Sequence, residues 1–209
     1  MPTFTHALTT PQRQQIAALK TPAAIQAYLD ETPYSAEERY RCPLSVLRDR
    51  KAHCFDGAVF AAAMLRRLGH RPLIVDLLPN DRDDDHMLAL FKVDGRLGAV
   101  AKSNFSGLRY REPIFRSLRE LVLSYFEDYF NAAGEKTLRA YTVSLNLARF
   151  DRQDWLARDE TMDAIAEALD TIRKVPVLTP RMVRRLLPVD PLALKAGLLG
   201  SNPEGLFKL

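Results

Sequence analysis

The dipeptide Asp94-Gly95 lies between two apolar segments and constrains the fold of this chain more than any other feature. Asp-Gly favours a two-residue type I′ turn, because both central residues of that turn need a positive φ. We therefore predict an antiparallel hairpin with strands His86–Val93 and Arg96–Lys102, in which Val93 faces Arg96. Continued to the far end of the hairpin, the same register places His86 opposite Ser103.

The residues before the hairpin predict a helix, a strand and a loop. The segment Phe55–Leu68, FDGAVFAAAMLRRL, is rich in alanine and stops at Gly69, which is typical of a helix with a glycine at its C-terminal end. Arg71–Leu78 has the β-branched apolar centre of a buried strand. The acidic loop Pro79–Asp85 then leads to His86. A helix packed on an antiparallel sheet belongs to the α+β class.

The rest of the chain is expected to be mainly helical. A strand is expected within Thr137–Phe150, and helices are expected within Pro11–Leu29, Pro43–Arg50, Ser117–Tyr129, Asp159–Ile172 and Thr179–Leu209. We predict a main domain over residues 1–150 and a helical C-terminal extension over residues 151–209 that packs on the same domain.

Composition excludes several classes of protein. The chain has 209 residues and only two cysteines, without a CxxC pair, which argues against a disulfide scaffold and a structural zinc site. We expect no metal and no cofactor. The N-terminus lacks a secretory leader pattern and the apolar stretches are too short for a bilayer, so a cytoplasmic location without membrane contact is expected. The net charge of +4 comes from scattered arginines, which argues against nucleic acid as the partner.

Cys54 and His86 are the candidate reactive residues. A cysteine at the N-terminal end of a helix lies near the positive end of the helix dipole, which favours the thiolate, and the free N–H groups there stabilise an oxyanion. His86 begins a strand 32 positions later. A nucleophilic thiol needs an imidazole from another element as its base, and a helix packed on a sheet supplies one.

The order of these residues resembles the core of the transglutaminase-like superfamily, which shares its Cys–His chemistry with papain-like enzymes. The resemblance covers about Lys51–Asn104 and includes Cys54, the alanine-rich helix, Gly69, His86 and Asp94-Gly95-Arg96. It implies an α+β fold in which the cysteine helix packs on an antiparallel sheet. It also implies thiol-dependent acyl chemistry on a peptide or a small amide or ester, by a hydrolase or an acyltransferase.

One position departs from the pattern of that family. The family has an aspartate that orients the histidine, and the register places Ala101 where that aspartate would stand. Asn104 is the first candidate for a replacement, since an asparagine has this role in papain-like enzymes, and Ser103 is the second. A third alternative is an acid from Asp83–Asp85. Without any orienting group, the chain would be a catalytically inert binding module on the same scaffold.

Basic residues follow the candidate site. Lys102 and Arg109 are predicted to contact an anionic part of the substrate, although the arginines of this segment have acidic neighbours with which they could pair instead. A third hypothesis is that this arginine-rich segment binds nucleic acid, which would make retention on DNA or RNA strongly salt-dependent.

Overall fold

The computed structural model describes residues 2–208, and it is an α+β protein with one antiparallel sheet, as predicted. The helices are α1 (Pro2–Ala7), α2 (Thr10–Ala18), α3 (Pro22–Glu31), α4 (Pro43–Asp49), α5 (Cys54–Arg67), α6 (Leu118–Leu123), α7 (Glu160–Thr171), α8 (Pro180–Val183) and α9 (Pro191–Gly197). The strands are β1 (Leu73–Leu78), β2 (His86–Val93), β3 (Arg96–Val100), β4 (Arg111–Phe115), β5 (Ala140–Thr142), β6 (Leu145–Asn146) and β7 (Lys174–Pro176).

The strands follow the order β4-β3-β2-β1-β5-β7, and β6 also pairs with β1. The hairpin has the predicted register, with Val93 opposite Arg96. Asp94 and Gly95 have φ angles of 47° and 78°, as a type I′ turn requires. The pairing of β2 with β3 ends at Ala89 and Val100, so the predicted pairing of His86 with Ser103 is wrong. Beyond Val100 the side-chain amide of Gln26 replaces the neighbouring strand as hydrogen-bond partner, since it accepts from the N–H of Ala101 and donates to the carbonyl of Ala101.

Two core clusters cover the two faces of the sheet. The α5 face carries Met87, Ala89 and Phe91 of β2, which pack with the buried side of α5. The opposite face carries Leu88 and Leu90, which pack with the region around α6. Successive side chains of a strand point to opposite faces, so β2 serves both clusters.

The segments α5 and β1 confirm the central part of the sequence prediction, whereas the later elements differ from it. The segment predicted as one helix over Ser117–Tyr129 contains α6 and a separate 3₁₀ turn at Phe126–Asp128. The region Thr137–Phe150 holds two short strands and then begins a 3₁₀ helix. Strands β4 and β7 were not predicted.

The domain boundary at residue 150 stays a prediction. The predicted helical extension after residue 150 also contains a strand, because β7 pairs with β5 in the sheet. Met162, Ile165 and Leu169 of α7 are buried in the cluster that contains α5. Within residues 2–208, no helix combines the length and the apolar character needed to cross a membrane.

Candidate active site

Cys54 is the first residue of α5, as expected from the sequence, and a capping network holds this helix end in place. The ring of His53 accepts a hydrogen bond from the N–H of Phe55, and the Asp56 carboxylate accepts one from the N–H of His53. Asp56 also accepts a 2.7 Å hydrogen bond from the N–H of Arg41. Arg41 and Asp56 are both fully buried and form an ion pair at 3.5 Å.

The Arg41–Asp56 pair was not predicted, because no local pattern joins residues 15 positions apart. The Arg41 guanidinium also contacts Asp49, Glu37 and Ser35, so its buried charge has several acidic or polar partners. A buried charge without partners would be strongly destabilising, and this network avoids that cost. It ties the segment before α4 to the helix end that carries Cys54.

A close approach between α5 and the end of β3 further restricts Cys54. A Cβ atom built on Gly57 would lie 2.2 Å from Cβ of Lys102, so only glycine fits at this point of the helix. The sulfur atom of Cys54 lies over the chain that enters β2. It is 3.8 Å from the carbonyl oxygen of Asp85.

The electrostatic surroundings of Cys54 differ from the prediction. Cys54 is partly buried, and desolvation of its sulfur, followed by the negative charges of Asp85 and Asp76, raises the pKa of the thiol well above its ordinary value. The end of a helix was expected to lower it. In this conformation the thiol is therefore neutral at pH 7.

His86 begins β2 as predicted, but its side chain lies on the face opposite α5. Its ring packs edge-on against Tyr129, with 6.4 Å between the ring centroids. Its Nε2 atom is 2.7 Å from the carbonyl oxygen of Leu108. Since a carbonyl only accepts, Nε2 carries the proton. Burial lowers the pKa of His86 to about 4, so the ring is neutral at pH 7 and its Nδ1 atom is an acceptor to which no described residue donates a hydrogen bond.

Cys54 and His86 meet at the end of β2, where both line a small cavity of about 40 Å³. Among the hydrogen bonds of the described residues, none joins the sulfur to the imidazole. The physical reason is strand alternation: Met87 points towards α5 and His86 points away from it. The two residues therefore share a cavity without forming a hydrogen-bonded pair in this conformation.

The group that orients His86 is the backbone carbonyl of Leu108, and not Asn104 or Ser103. The Asn104 amide bonds the chain at residues 202–205, donating to the carbonyls of Asn202 and Gly205 and accepting from the N–H of Asn202. Ser103 Oγ accepts from the N–H of Phe105. A backbone carbonyl has no side-chain signature, so no sequence pattern points to Leu108.

Asn104 thus anchors a segment that lies across the cleft. Gly205 lines the cavity shared by Cys54 and His86, together with Phe207, and Leu206 lines the larger cleft beside Cys54. Asp83–Asp85 were the third alternative, and all three line the cavity that Cys54 and His86 share. Asp83 accepts from the hydroxyl of Thr137 and Asp85 also lines the larger cleft, and among residues 2–208 no hydrogen bond joins any of the three carboxylates to the His86 ring.

Lys102 and Arg109 lie away from the sulfur and have internal partners. The Lys102 ammonium is buried and donates to the carbonyls of Leu29 and Thr32 at the C-terminal end of α3. Burial lowers the pKa of Lys102 to about 8. Arg109 pairs with Asp30 at 3.4 Å. Both residues line a separate cavity of about 240 Å³ that Cys54 does not reach, so the structure gives no support for contacts with a substrate at the sulfur.

Tyr34 is a site residue that the sequence did not indicate. It lines both cavities next to Cys54, and burial together with the nearby Cys54 raises the pKa of its hydroxyl. The strand-like bridge between Tyr34 and Ala52 fixes its position. A tyrosine after a proline in a loop is common, and nothing in the sequence links it to a cysteine 20 positions later.

Comparisons with known proteins give limited information. Neither the family models nor the curated proteins produced a match. Among solved structures, Legionella pneumophila LapG matches with a TM-score of 0.41 and 12% identity, over 75% of this chain and 92% of that chain. The EGTA-treated form of LapG matches with a TM-score of 0.40 and 11% identity over the same shares. Similarity at this level does not establish a shared family or activity.

Proposed function

We propose that the chain performs thiol-dependent acyl chemistry, with Cys54 as the nucleophile and His86 as its base, on a transglutaminase-like scaffold. The observation that carries the proposal is the fixed tautomer of His86. Its Nε2–H is held by the Leu108 carbonyl, so the unprotonated Nδ1 is left to accept a proton within the cavity that Cys54 also lines. In this arrangement the Leu108 carbonyl has the orienting part that a side chain has in the family.

The chemistry follows from these groups. The Cys54 sulfur attacks the carbonyl carbon of an amide or ester while its proton passes to Nδ1 of His86. The N–H of Cys54, in the first turn of α5, and the hydroxyl of Tyr34, which lines both cavities next to Cys54, are the hydrogen-bond donors for the oxyanion. The tetrahedral adduct then collapses, the leaving group takes the proton from His86, and a thioester remains. Water or an amine completes the reaction by taking the acyl group.

The proton transfer requires the sulfur and Nδ1 to come within hydrogen-bond distance, which is closer than in this conformation. Catalytic hydrogen bonds often shorten only when the substrate binds. The segment 203–207 lies in the same cleft, and its displacement is the movement that we expect to accompany substrate binding.

The test is formation of an acyl-enzyme. We expect the wild-type chain to release p-nitrophenolate from a p-nitrophenyl ester and to carry the acyl group on Cys54 in a mass spectrum. Cys54→Ala should abolish the adduct, and Cys42→Ala is the matched control, because Cys42 is fully buried and bonds Ser45. His86→Gln retains an N–H for the Leu108 carbonyl but accepts no proton, and it should slow acylation by about 10²-fold or more.

A second candidate function is a non-catalytic binding module on the same scaffold. The raised pKa of the Cys54 thiol favours it, since a neutral thiol is a poor nucleophile. Equal ester hydrolysis by the wild type and by Cys54→Ala, with no adduct on the protein, would contradict the first proposal and leave this one.

A further inference from the structure

The cleft beside Cys54 has a charge opposite to that of the whole chain. It has a volume of about 350 Å³, and the residues that line it include no Lys or Arg within the described part of the chain. Its acidic side chains include Glu37, Asp76, Asp84, Asp85, Asp170 and Glu204. The protein as a whole has a net charge of +4. Negative charge is therefore concentrated at the candidate site.

Asp76 is the most informative of these residues. Asp76 lines the cleft and is only 5% exposed, yet its Oδ1 atom has no hydrogen-bond partner among residues 2–208. A buried carboxylate oxygen without a donor is costly, and native structures contain few of them. Two things can satisfy this oxygen: a proton shared with the neighbouring carboxyl of Asp85, or a donor on a bound molecule.

The carboxylates around the sulfur also lack basic partners. Among residues 2–208, no Lys, Arg or His nitrogen lies within 4.0 Å of the carboxylates of Asp76, Asp84, Asp85 or Asp170, in contrast to the many paired acids elsewhere. Lys174 of β7 is the basic residue whose charge acts on Asp76. A cluster of carboxylates without basic partners attracts a positively charged ligand.

Aromatic rings form part of the wall of the same cleft. Tyr40 and Phe55 pack with their ring centroids 4.5 Å apart, and Tyr34 lies next to the sulfur. Organic cations are attracted to the faces of aromatic rings, and contact of their alkyl parts with these rings adds favourable apolar burial. Carboxylates with aromatic rings fit an organic cation that has N–H donors.

We propose that this cleft binds an organic ammonium or guanidinium group, with Asp76 and Asp85 as its anionic partners, within reach of the Cys54 sulfur. The source is either a free amine or the side chain of a basic residue in a peptide. This cation site adds a class of substrate to the proposed function, and in that respect it rests on the proposed function. The bound cation also offsets the negative charges that disfavour the Cys54 thiolate, so a cationic substrate activates the thiol that attacks it.

Calorimetry with the full chain at low salt and about pH 8 tests the binding. The probes are 1,5-diaminopentane and a blocked lysine-containing peptide, with 1-pentanol as the neutral control. We expect both cations to bind and pentanol not to bind. Asp76→Asn should weaken binding by about tenfold or more, since it removes the charge and retains the shape. Asp94→Asn, which removes a charge at the β2–β3 turn, should leave the affinity unchanged.

Two further measurements make the test sharper. Asp170 is exposed at the rim, so Asp170→Asn gives a second variant whose folding does not depend on a buried group, and it should weaken binding several-fold. The affinity should fall as the pH is lowered from about 8 to about 5, because protons then compete for Asp76 and its neighbours. Tighter binding of 1,5-diaminopentane would identify a free amine as the source of the cation, and tighter binding of the peptide would identify a basic side chain.

Several results would overturn the inference. These are no heat with either cation, unchanged affinity in both Asp76→Asn and Asp170→Asn, or binding of Ca²⁺ that is not shared by the organic cations. The outcome is separate from that of the proposed function, because cation binding does not need the thiol and should persist in Cys54→Ala. Binding without any acyl adduct would keep this inference and contradict the proposed function.

Discussion

The two faces of the sheet give the two candidate residues opposite surroundings. Cys54 lies on the α5 face beside Asp76 and Asp85, where desolvation and then negative charge raise the pKa of its thiol. His86 lies on the other face, among Tyr129, Leu108 and other apolar residues, where burial lowers the pKa of its ring. Both shifts favour the neutral form and both are caused first by desolvation, to which the carboxylates of Asp85 and Asp76 add negative charge on the α5 face.

The largest effect is expected where α5 meets the end of β3. Gly57→Ala should destabilise the protein by roughly 1–3 kcal/mol or more, because the new Cβ would lie 2.2 Å from Cβ of Lys102. In an open helix the same change would stabilise by up to about 1 kcal/mol, so the sign alone tests the contact. Urea unfolding measures it. A variant as stable as the wild type would show that the α5 face is looser than described.

The two faces should also respond to pH in opposite directions. The pKa of His86 falls from 6.5 to about 4 on folding, so the unfolded chain binds more protons in that window and His86 destabilises the fold as pH drops. Burial and Asp85 raise the pKa of Asp76 from 3.8 to about 8, so the folded chain binds more protons there and Asp76 destabilises the fold as pH rises.

Two variants separate these contributions. Relative to the wild type, His86→Gln should gain up to roughly 3 kcal/mol in unfolding free energy as pH falls from about 6.5 to about 4. Relative to the wild type, Asp76→Asn should gain unfolding free energy as pH rises from about 4 to about 8. Asp94→Asn should show neither trend. Urea unfolding across this range measures all three, and parallel curves for His86→Gln and the wild type would remove the contrast between the faces.

The smallest effect on global stability is expected in the segment that covers the cleft between the two faces, because the loss stays within that segment. Asn104→Ala removes three hydrogen bonds to residues 202–205 and should cost about 1–3 kcal/mol locally. We expect iodoacetamide to modify Cys54 several-fold faster in this variant at about pH 9, because the sulfur becomes more accessible. Asn146→Ala, which loses a helix cap elsewhere, is the matched control. Equal rates in both variants would mean that the segment does not shield Cys54.

Local sequence patterns predicted the elements in which neighbouring residues decide the structure. The type I′ turn at Asp94-Gly95 set the register of β2 and β3, and within the predicted helical segment Pro11–Leu29 Thr21 caps α3 before Pro22. The edge strands were missed because both contain a proline: Pro113 in β4 and Pro176 in β7. Proline is excluded from central strands and tolerated at edges, and only the assembled sheet shows which strands are edges.

The sequence by itself determined that Cys54 begins a helix and His86 begins a strand, since capping, alanine content and the Asp-Gly turn are local properties. The tertiary structure decided that the two side chains lie on opposite faces of the sheet, that a backbone carbonyl at Leu108 orients the imidazole, and that Asp76 stands unpaired beside the sulfur. These relations join residues 22 or more positions apart. They depend on which elements pack against each face of the sheet. A reading of neighbouring residues cannot supply that information, because it arises only when the chain packs.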